Sequence, residues 1–296
     1  MFREGGQGGA SKAGKEMFVS DLLKDKRVLI TGGGTGLGKS MAHRFLELGA
    51  GVTLLGRREE VLAETKAEFD RDFDGRTATA SCDIRDPEAV EATVEKLWAE
   101  QGGLDALVNN AAGNILAPSE TLSHRAVDAV LGIVLHGSAY MTLACGRRWL
   151  KSGTAGNVLS IVTTYAWTGS GYVLPSAMGK AGVLAMTRSL AAEWGGRGVR
   201  LNAVAPGPFP TEGAWSRLVP NKEIEKTWLN RVPLGRVGRH EELTNLAAYL
   251  LAEQSGYVNG EVVTIDGGEW LKGAGQFSVM DQLSDEEWAA FRPKKG

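Results

Sequence analysis

The clearest chemical signal in the sequence is a glycine-rich run that follows a short apolar segment. It reads Thr31-Gly32-Gly33-Gly34-Thr35-Gly36-Leu37-Gly38. Glycines permit a tight turn and a close approach of the backbone to a pyrophosphate, and a following helix N-terminus offers free N–H groups and a positive dipole end. The run therefore predicts a dinucleotide-binding loop, with a plain glycine-rich turn as the alternative. The predicted cofactor contacts in it are Gly32, Gly34, Thr35, Gly36, Leu37 and Gly38.

Two arginines, Arg57 and Arg58, follow the second apolar segment, where an NAD-preferring site would carry an acidic residue. A guanidinium binds a phosphate bidentately and stays charged at any working pH, so the pair favours NADPH/NADP+ as the cofactor. The alternative is a solvated pair at the start of a helix. Asp83, followed by Ile84, is expected to meet the adenine, and capping of the next helix is the alternative role for Asp83.

Alternating apolar and amphipathic segments must position these residues. Short β-branched or apolar runs occur at 27–31, 51–56, 77–82, 104–109, 157–162, 200–204 and 262–265. Helical patterns lie at 36–48, 87–101, 123–150, 176–195 and 240–252. This alternation predicts an α/β protein, a single-domain Rossmann fold whose doubly wound, seven-stranded parallel sheet carries helices on both faces.

The predicted domain organisation has three parts. Residues 1–20 form an N-terminal arm, 21–272 an NADP(H)-binding catalytic domain, and 273–296 a C-terminal tail. Within the domain, 206–237 is rich in proline and lacks clear periodicity. Long irregular stretches of this kind are often functional, so it is the predicted substrate loop.

Composition excludes several function classes. The formal net charge of −2 gives no reason to expect nucleic acid as a partner. The two cysteines and four histidines lack disulfide-framework or metal-ligand spacing, so no metal is expected. No secretory signal and no uninterrupted apolar run of membrane-spanning length stand out, so no membrane partner and a cytoplasmic location are expected. A mitochondrial transit peptide is the alternative, opposed by Glu4 and Glu16.

Four motifs resemble those of the short-chain dehydrogenase/reductase family. TGGGTGLG at 31–38, NNAAG at 109–113, PGP at 206–208 and DGG at 266–268 occur in the family's order. The resemblance covers about residues 25–270. It implies that the cofactor is lined by Asn110, Ala111, Pro206, Gly207 and Phe209.

The sequence departs from the usual family pattern at the catalytic positions. Lys180 is present, but Ser176 stands where the family's catalytic Tyr precedes the Lys by four residues. Thr163 replaces the usual Ser, and Val134 replaces the usual Asn. A simple ketone reductase is therefore disfavoured.

These departures resemble the 2,4-dienoyl-CoA reductases instead. In that subgroup a Tyr stands fifteen residues before the Lys, a Ser fills the vacated position, and an Asn follows NNAAG. Here those residues are Tyr165, Ser176 and Asn114. The segment 213–218 after the proline turn also resembles the subgroup's substrate loop.

The resemblance implies reduction of 2,4-dienoyl-CoA to 3-enoyl-CoA. Hydride added to the far end of the diene pushes charge onto the thioester oxygen, where Tyr165 and Asn114 would form an oxyanion hole. Lys180 would hold the nicotinamide ribose, and Ser176 would support the network. Two competing functions stay open: a ketone or alcohol oxidoreductase, for example on 3-ketoacyl substrates, and a non-catalytic NADP(H)-binding regulator.

Two further predictions concern partners. By resemblance, Arg85 and Arg217 contact the CoA of the acyl-CoA substrate, with surface ion pairs as the alternative. Apolar residues on the helices near 123–150 and 176–195, among them Met141 and Leu143, predict a homo-oligomer, and the resemblance implies a tetramer.

Overall fold

A seven-stranded parallel sheet organises the computed structural model, which describes residues 17–73, 75–211 and 221–291. The strand order is β3-β2-β1-β4-β5-β6-β7. The strands are β1 Arg27–Thr31, β2 Gly51–Gly56, β3 Thr77–Ser81, β4 Ala106–Asn109, β5 Gly156–Ile161, β6 Val199–Pro206 and β7 Val262–Ile265. All seven predicted strands are present, which confirms the predicted fold class.

Helices cover both faces of the sheet. They are α1 Gly36–Glu47, α2 Glu59–Phe73, α3 Pro87–Gln101, α4 His124–Leu131, α5 Ser138–Ser152, α6 Tyr165–Thr168, α7 Leu174–Trp194, α8 Lys222–Leu229, α9 His240–Leu251, α10 Glu269–Ala274 and α11 Asp285–Ala290. Side chains alternate across a strand, so Val28 and Ile30 pack with α1 and α9 while Leu29 packs with α3 and α5 on the other face. Two buried cores therefore share one sheet.

The chain reverses its direction of sheet growth between β1 and β4. Ile30 pairs with Leu54 of β2 on one side and with Val108 of β4 on the other. In open α/β sheets a crevice forms at the carboxyl ends of the strands at such a switch point, and ligands bind there. The predicted glycine run and the NNAAG segment both leave the sheet at this point.

Five of the described helices were not predicted from the sequence: α2, α6, α8, α10 and α11. Helix α2 was not predicted, although Leu62 and Phe69 are buried at helical spacing. Helix α8 lies inside the supposedly irregular stretch 206–237, capped by Asn221, whose side chain accepts from the Ile224 N–H. The flanking prolines obscured its short periodicity. Helix α11 lies in the predicted C-terminal tail, and the proposed boundaries at 20 and 272 stay predictions.

The predicted helix at 123–150 contains a π-helical turn, Gly132–Gly137, between α4 and α5. Its Val134 is fully buried against α7, because a Cβ on Gly179 would lie 2.9 Å from the Val134 Cγ1. By length and composition His124–Ser152 could cross a membrane, and half of its most apolar window is buried inside the protein. Packing against the sheet and α7 gives these apolar residues a place in the fold.

The residues that predicted an oligomer divide into two groups. Val134, Met141 and Leu184 belong to the buried interior of the single chain, whereas Leu143 is exposed and Leu131, Met186 and Leu190 are partly exposed. The buried group therefore gives no support to a subunit interface. The homo-oligomer stays a prediction that rests on the exposed residues and on the family resemblance.

Candidate active site

A cavity of about 550 Å³ opens at the carboxyl edge of the sheet, at the switch point. Most of the predicted site residues line it. Among its lining residues are Gly32, Gly34, Thr35, Leu37, Arg57, Arg58, Asp83, Ile84, Asn110, Ala111, Tyr165, Lys180, Pro206 and Phe209. The cavity therefore brings together residues that are far apart in the sequence.

The glycine run forms one wall of the cavity, and two of its positions require glycine. Gly32 has a φ of 66°, in the left-handed region that favours glycine. A Cβ on Gly38 would lie 2.3 Å from the Gly32 carbonyl oxygen, so this position also requires glycine. Helix α1 begins at Gly36, and its N-terminus faces the cavity through Thr35 and Leu37. This cradle of close backbone and free helix N–H groups fits a pyrophosphate.

Residues of the NNAAG motif hold the glycine run in place. The Asn110 side-chain amide donates to the Thr31 and Gly32 carbonyls at 3.0 and 3.3 Å. The backbone N–H groups of Asn110 and Ala111 both donate to the Thr31 hydroxyl, at 3.0 Å each. The Thr31 hydroxyl in turn donates to the Val108 carbonyl. This network joins the ends of β1 and β4, so the two motifs form one structural unit.

The far end of the cavity carries arginines and one carboxylate. Arg57 and Arg58 are exposed, and an Arg57 Nη1 lies 3.9 Å from the Asp83 carboxylate. Arg85 Nε donates to Asp83 at 2.9 Å and, with Arg57, holds the pKa of Asp83 below its usual range. The alternative that Asp83 caps the next helix is wrong, because Asp86 accepts from the N–H groups of that helix.

Arg85 and Arg217 were predicted to contact CoA. Arg85 forms an ion pair with Asp83, which is the alternative considered for it, and a CoA contact stays a prediction. Arg217 lies outside the described residues, as does the segment 213–218 that resembles a substrate loop.

A Lys–Tyr–Ser group forms another part of the candidate site. The Tyr165 hydroxyl, carried by α6, is 3.1 Å from Ser176 Oγ on α7. Lys180, one turn after Ser176, is buried and donates to the Ile161 carbonyl at the end of β5. Burial lowers the pKa of Lys180 to about 8. Tyr165 and Lys180 both line the cavity, so a phenol and an amine converge on it from neighbouring elements.

Asn114 is the predicted catalytic residue that the structure leaves apart. It is exposed in the irregular segment after β4, and it is not among the described side chains that line the cavity. The same segment is tied to the loop between α6 and α7, because the Ala117 N–H donates to the Tyr172 carbonyl at 3.0 Å. No described contact joins Asn114 itself to Tyr165 or Ser176, so its oxyanion role stays a proposal.

The segment after β6 closes the cavity. Pro206 and Phe209 line it, and a Cβ on Gly207 would lie 2.7 Å from the Asp266 Cβ, so glycine lets the motifs PGP and DGG pack together. The sequence analysis missed Thr211, which also lines the cavity and faces Gly36 at the start of α1. The signal that could have identified Thr211 is its position shortly after the PGP motif in the sequence.

Comparisons with known proteins agree with this geometry. A family model described as enoyl-(acyl carrier protein) reductase matches residues 32–269. A short chain dehydrogenase structure from Bacillus anthracis superposes with a TM-score of 0.77 at 41% identity, covering 85% of this chain and 98% of that one. The chain belongs to the short-chain dehydrogenase/reductase family. It is therefore a short-chain reductase of a family that binds a nicotinamide cofactor.

Curated relatives of this short-chain reductase carry narrower names. A probable 2,4-dienoyl-CoA reductase from Bacillus subtilis, named as (2E)-enoyl-CoA-producing, is 42% identical over 84% of this chain and 98% of its own length. A probable 2,4-dienoyl-CoA reductase 3 from Caenorhabditis elegans, named as (3E)-enoyl-CoA-producing, is 42% identical over 83% and 81%. A gluconate 5-dehydrogenase from Burkholderia cenocepacia, solved with NADP and tartrate, superposes with a TM-score of 0.79 at 30% identity, covering 84% and 97%.

One further contact close to the site in the sequence, between two tryptophans, was absent from the sequence analysis. Trp167, two residues after Tyr165, lies 6.3 Å from Trp270 of α10 between ring centroids. In the part of the chain that the structure describes, no group of three or more His, Cys, Asp or Glu could hold a metal ion.

Proposed function

We propose that this short-chain reductase uses NADPH to reduce a 2,4-dienoyl-CoA to a 3-enoyl-CoA. The observation that carries the proposal is the 3.1 Å contact between the Tyr165 hydroxyl and Ser176 Oγ, beside Lys180. A phenol delivered from α6 meets the position at which the wider family places its Tyr. Both relatives named as 2,4-dienoyl-CoA reductases support the substrate, but only the Caenorhabditis elegans relative is named for a 3-enoyl product, and the Bacillus subtilis relative is named for a 2-enoyl product.

The proposed chemistry requires hydrogen-bond donors for a developing negative charge. Bound NADPH would supply a hydride to the δ-carbon of the dienoyl group. The electron pair then moves along the conjugated chain to the thioester oxygen, which receives hydrogen bonds from the Tyr165 hydroxyl and the Asn114 amide. One such donor is typically worth about 2.7–4 kcal/mol of transition-state stabilisation.

Ser176 and Lys180 would prepare Tyr165 and the cofactor for this step. When Tyr165 donates to the substrate, Ser176 must donate its own hydroxyl proton to the Tyr165 oxygen, because one phenol proton cannot serve both contacts. Ser176 is buried, so this support is sheltered from water. Lys180 as an ammonium would bind the nicotinamide ribose and add a positive field.

Protonation of the dienolate decides the product. A proton at the α-carbon gives the 3-enoyl thioester, and one at the γ-carbon gives the 2-enoyl thioester. Among the described residues lining the cavity, Asp83 has the one carboxyl group, and it is committed to Arg85. Because no other described residue that lines the cavity carries a carboxyl group, we infer that water is the proton donor and that it protonates the α-carbon.

NADPH rather than NADH follows from the charge at the far end of the cavity. Arg57 and Arg58 both line it and are exposed, so their guanidinium groups can reach a 2′-phosphate. The solved relative with bound NADP supports a phosphate-bearing cofactor in this fold.

The first test is oxidation of NADPH by the purified protein with a 2,4-dienoyl-CoA, a 3-ketoacyl-CoA and a 2-enoyl-CoA. We expect turnover of the dienoyl thioester alone, with a 3-enoyl product identified by NMR. Turnover of the 3-ketoacyl thioester alone would replace the proposal with a ketone reductase that uses Tyr165. Cofactor binding without any turnover would favour a regulator.

A further inference from the structure

His240, which no part of the proposed mechanism uses, joins two walls of the cofactor cavity. Its Nδ1 is 2.7 Å from Ser40 Oγ, one turn into α1 from Gly36. Its Nε2 is 2.7 Å from the Pro210 carbonyl oxygen. Pro210 lies between Phe209 and Thr211, which both line the cavity. His240 itself is not among the described residues that line it.

The directions of these hydrogen bonds follow from chemistry. A carbonyl oxygen can only accept, so His240 Nε2 must carry a proton and donate to Pro210. In the neutral ring Nδ1 is then an acceptor, and the Ser40 hydroxyl donates to it at 2.7 Å in preference to the Gly36 carbonyl oxygen, which lies at 3.2 Å. One imidazole thus bridges an α1 side chain and a backbone carbonyl of the segment after β6. Both distances are those of good hydrogen bonds.

Neighbouring contacts make the bridge part of a larger brace, formed by residues 238–242. The Gly238 N–H donates to the Pro208 carbonyl at 2.9 Å. A Cβ on Gly238 would lie 2.3 Å from the Phe209 ring, so the ring packs directly on the Gly238 backbone. Glu242 accepts from the Arg239 N–H at 2.8 Å and fixes the first turn of α9. The brace therefore supports three consecutive residues, 208–210, of which Phe209 lines the cavity.

We propose that His240 is a positioning residue that sets cofactor affinity without contacting the cofactor. It holds the segment 208–211 against the first turn of α1, the turn that supplies the pyrophosphate cradle. A Cβ placed on Gly36 would lie 3.4 Å from the Thr211 side chain. Without His240, this close approach of Thr211 to Gly36 depends on van der Waals contact alone. Loosening this approach widens the cavity and weakens every cofactor contact made across it.

If the role of His240 were purely structural, its loss would lower the Tm and leave cofactor binding unchanged. Helices α1 and α9 offer a matched control for this comparison. Arg44 Nε donates to Asn245 Oδ1 at 2.9 Å, which also joins α1 to α9. Neither residue is among the described residues lining the cavity. Loss of this bond should lower stability about as much as loss of the His240 bond to Ser40, because each removes one side-chain bond between the same elements.

The experiment measures the dissociation constant of the cofactor and the Tm for His240→Ala, Ser40→Ala, the double variant and Asn245→Ala. The titration uses NADPH, or NADH if the wild type binds that instead, followed by nicotinamide fluorescence. We expect His240→Ala to weaken binding about tenfold, and Ser40→Ala by less. The double variant should resemble His240→Ala, because both changes break one bridge. Asn245→Ala should lower the Tm while binding stays within about twofold.

His240→Gln provides the rescue, since its amide can donate to the Pro210 carbonyl, and should recover part of the affinity. The inference is overturned if His240→Ala and Asn245→Ala lower the Tm alike and neither changes cofactor binding. Additive losses in the double variant would also contradict a single bridge. If His240→Ala does not fold, the cofactor dissociation constant of Ser40→Ala tests the inference instead. No acyl thioester enters the measurement, so its outcome is separate from the test of the dienoyl substrate.

Discussion

The two edges of the sheet carry cavities of nearly equal size. The cavity at the carboxyl edge has a volume of about 550 Å³, and another at the amino edge, where the strands begin, has about 580 Å³. Size therefore does not distinguish the candidate active site. The two edges differ in whether their cations have partners within the protein.

At the amino edge, cations are neutralised or bonded within the protein. Arg27 Nε contacts Asp105 at 2.9 Å, and Lys26 contacts Glu253 at 2.5 Å. Arg200 donates to backbone carbonyls, among them that of Val258 at 2.7 Å. These groups satisfy one another and hold the ends of strands and helices together.

At the carboxyl edge, Arg57 and Arg85 pair with Asp83, but Arg58 and Lys180 have no anionic partner among the described residues. The hydrogen-bond acceptor of the buried Lys180 is a neutral carbonyl. Desolvated or uncompensated charge is costly, so its retention in a cavity points to a ligand that would compensate it. Charge compensation, more than volume, separates a binding edge from a structural one.

The largest effect should come from Tyr165→Phe. Loss of one oxyanion donor should reduce turnover of the dienoyl thioester about 100- to 1000-fold and leave the cofactor dissociation constant unchanged. Tyr257→Phe, at a fully exposed position, is the control and should behave as wild type. Equal turnover of Tyr165→Phe and wild type would remove the proposed role of this phenol.

Arg57→Ala should weaken NADPH binding about 10- to 100-fold and leave NADH binding unchanged, because a charge-assisted contact to the 2′-phosphate is lost. Titration of both cofactors checks this. A similar loss for NADH would mean that Arg57 supports the fold of the site rather than reading the phosphate.

A third effect depends on pH. Burial lowers the pKa of Lys180 from 10.5 to about 8, so its ammonium is lost in the free enzyme above that pH. We expect kcat/KM to fall about tenfold per pH unit above pH 8. Stability should move the other way: between pH 8 and 10.5 the unfolded chain binds more protons, so this group's contribution to the free energy of unfolding rises with pH. Denaturant titrations of wild type and Lys180→Met at several pH values test the sign. An equal rise of the free energy of unfolding with pH in both proteins would contradict the prediction.

The smallest effect on function should come from the amino edge. Arg27→Ala breaks the contact with Asp105 and should lower the free energy of unfolding by about 1–2 kcal/mol. Cofactor affinity should stay within about twofold of wild type. Weaker NADPH binding in this variant would show that the amino edge is coupled to the site and would undo the contrast between the edges.

The sequence by itself determined the fold class, the seven strands, and most of the residues that line the cavity. These depend on local patterns: β-branched strands, a glycine run at a strand end and arginines at the next strand end. Because the carboxyl ends of parallel strands share one edge, local motifs there converge without further information. Helix α8 escaped prediction because eight residues between prolines carry too little periodicity.

Only the tertiary structure decided which side chains meet across the chain. Ser40 and His240 are 200 residues apart, and nothing in either neighbourhood indicates the other. The separation of Asn114 from the cavity lining and the pairing of Arg85 with Asp83 are also outcomes of loop geometry. Packing and competing hydrogen bonds determine the conformations of loops and side chains. These interactions join residues that are distant in the sequence, so they produce no periodic pattern in it.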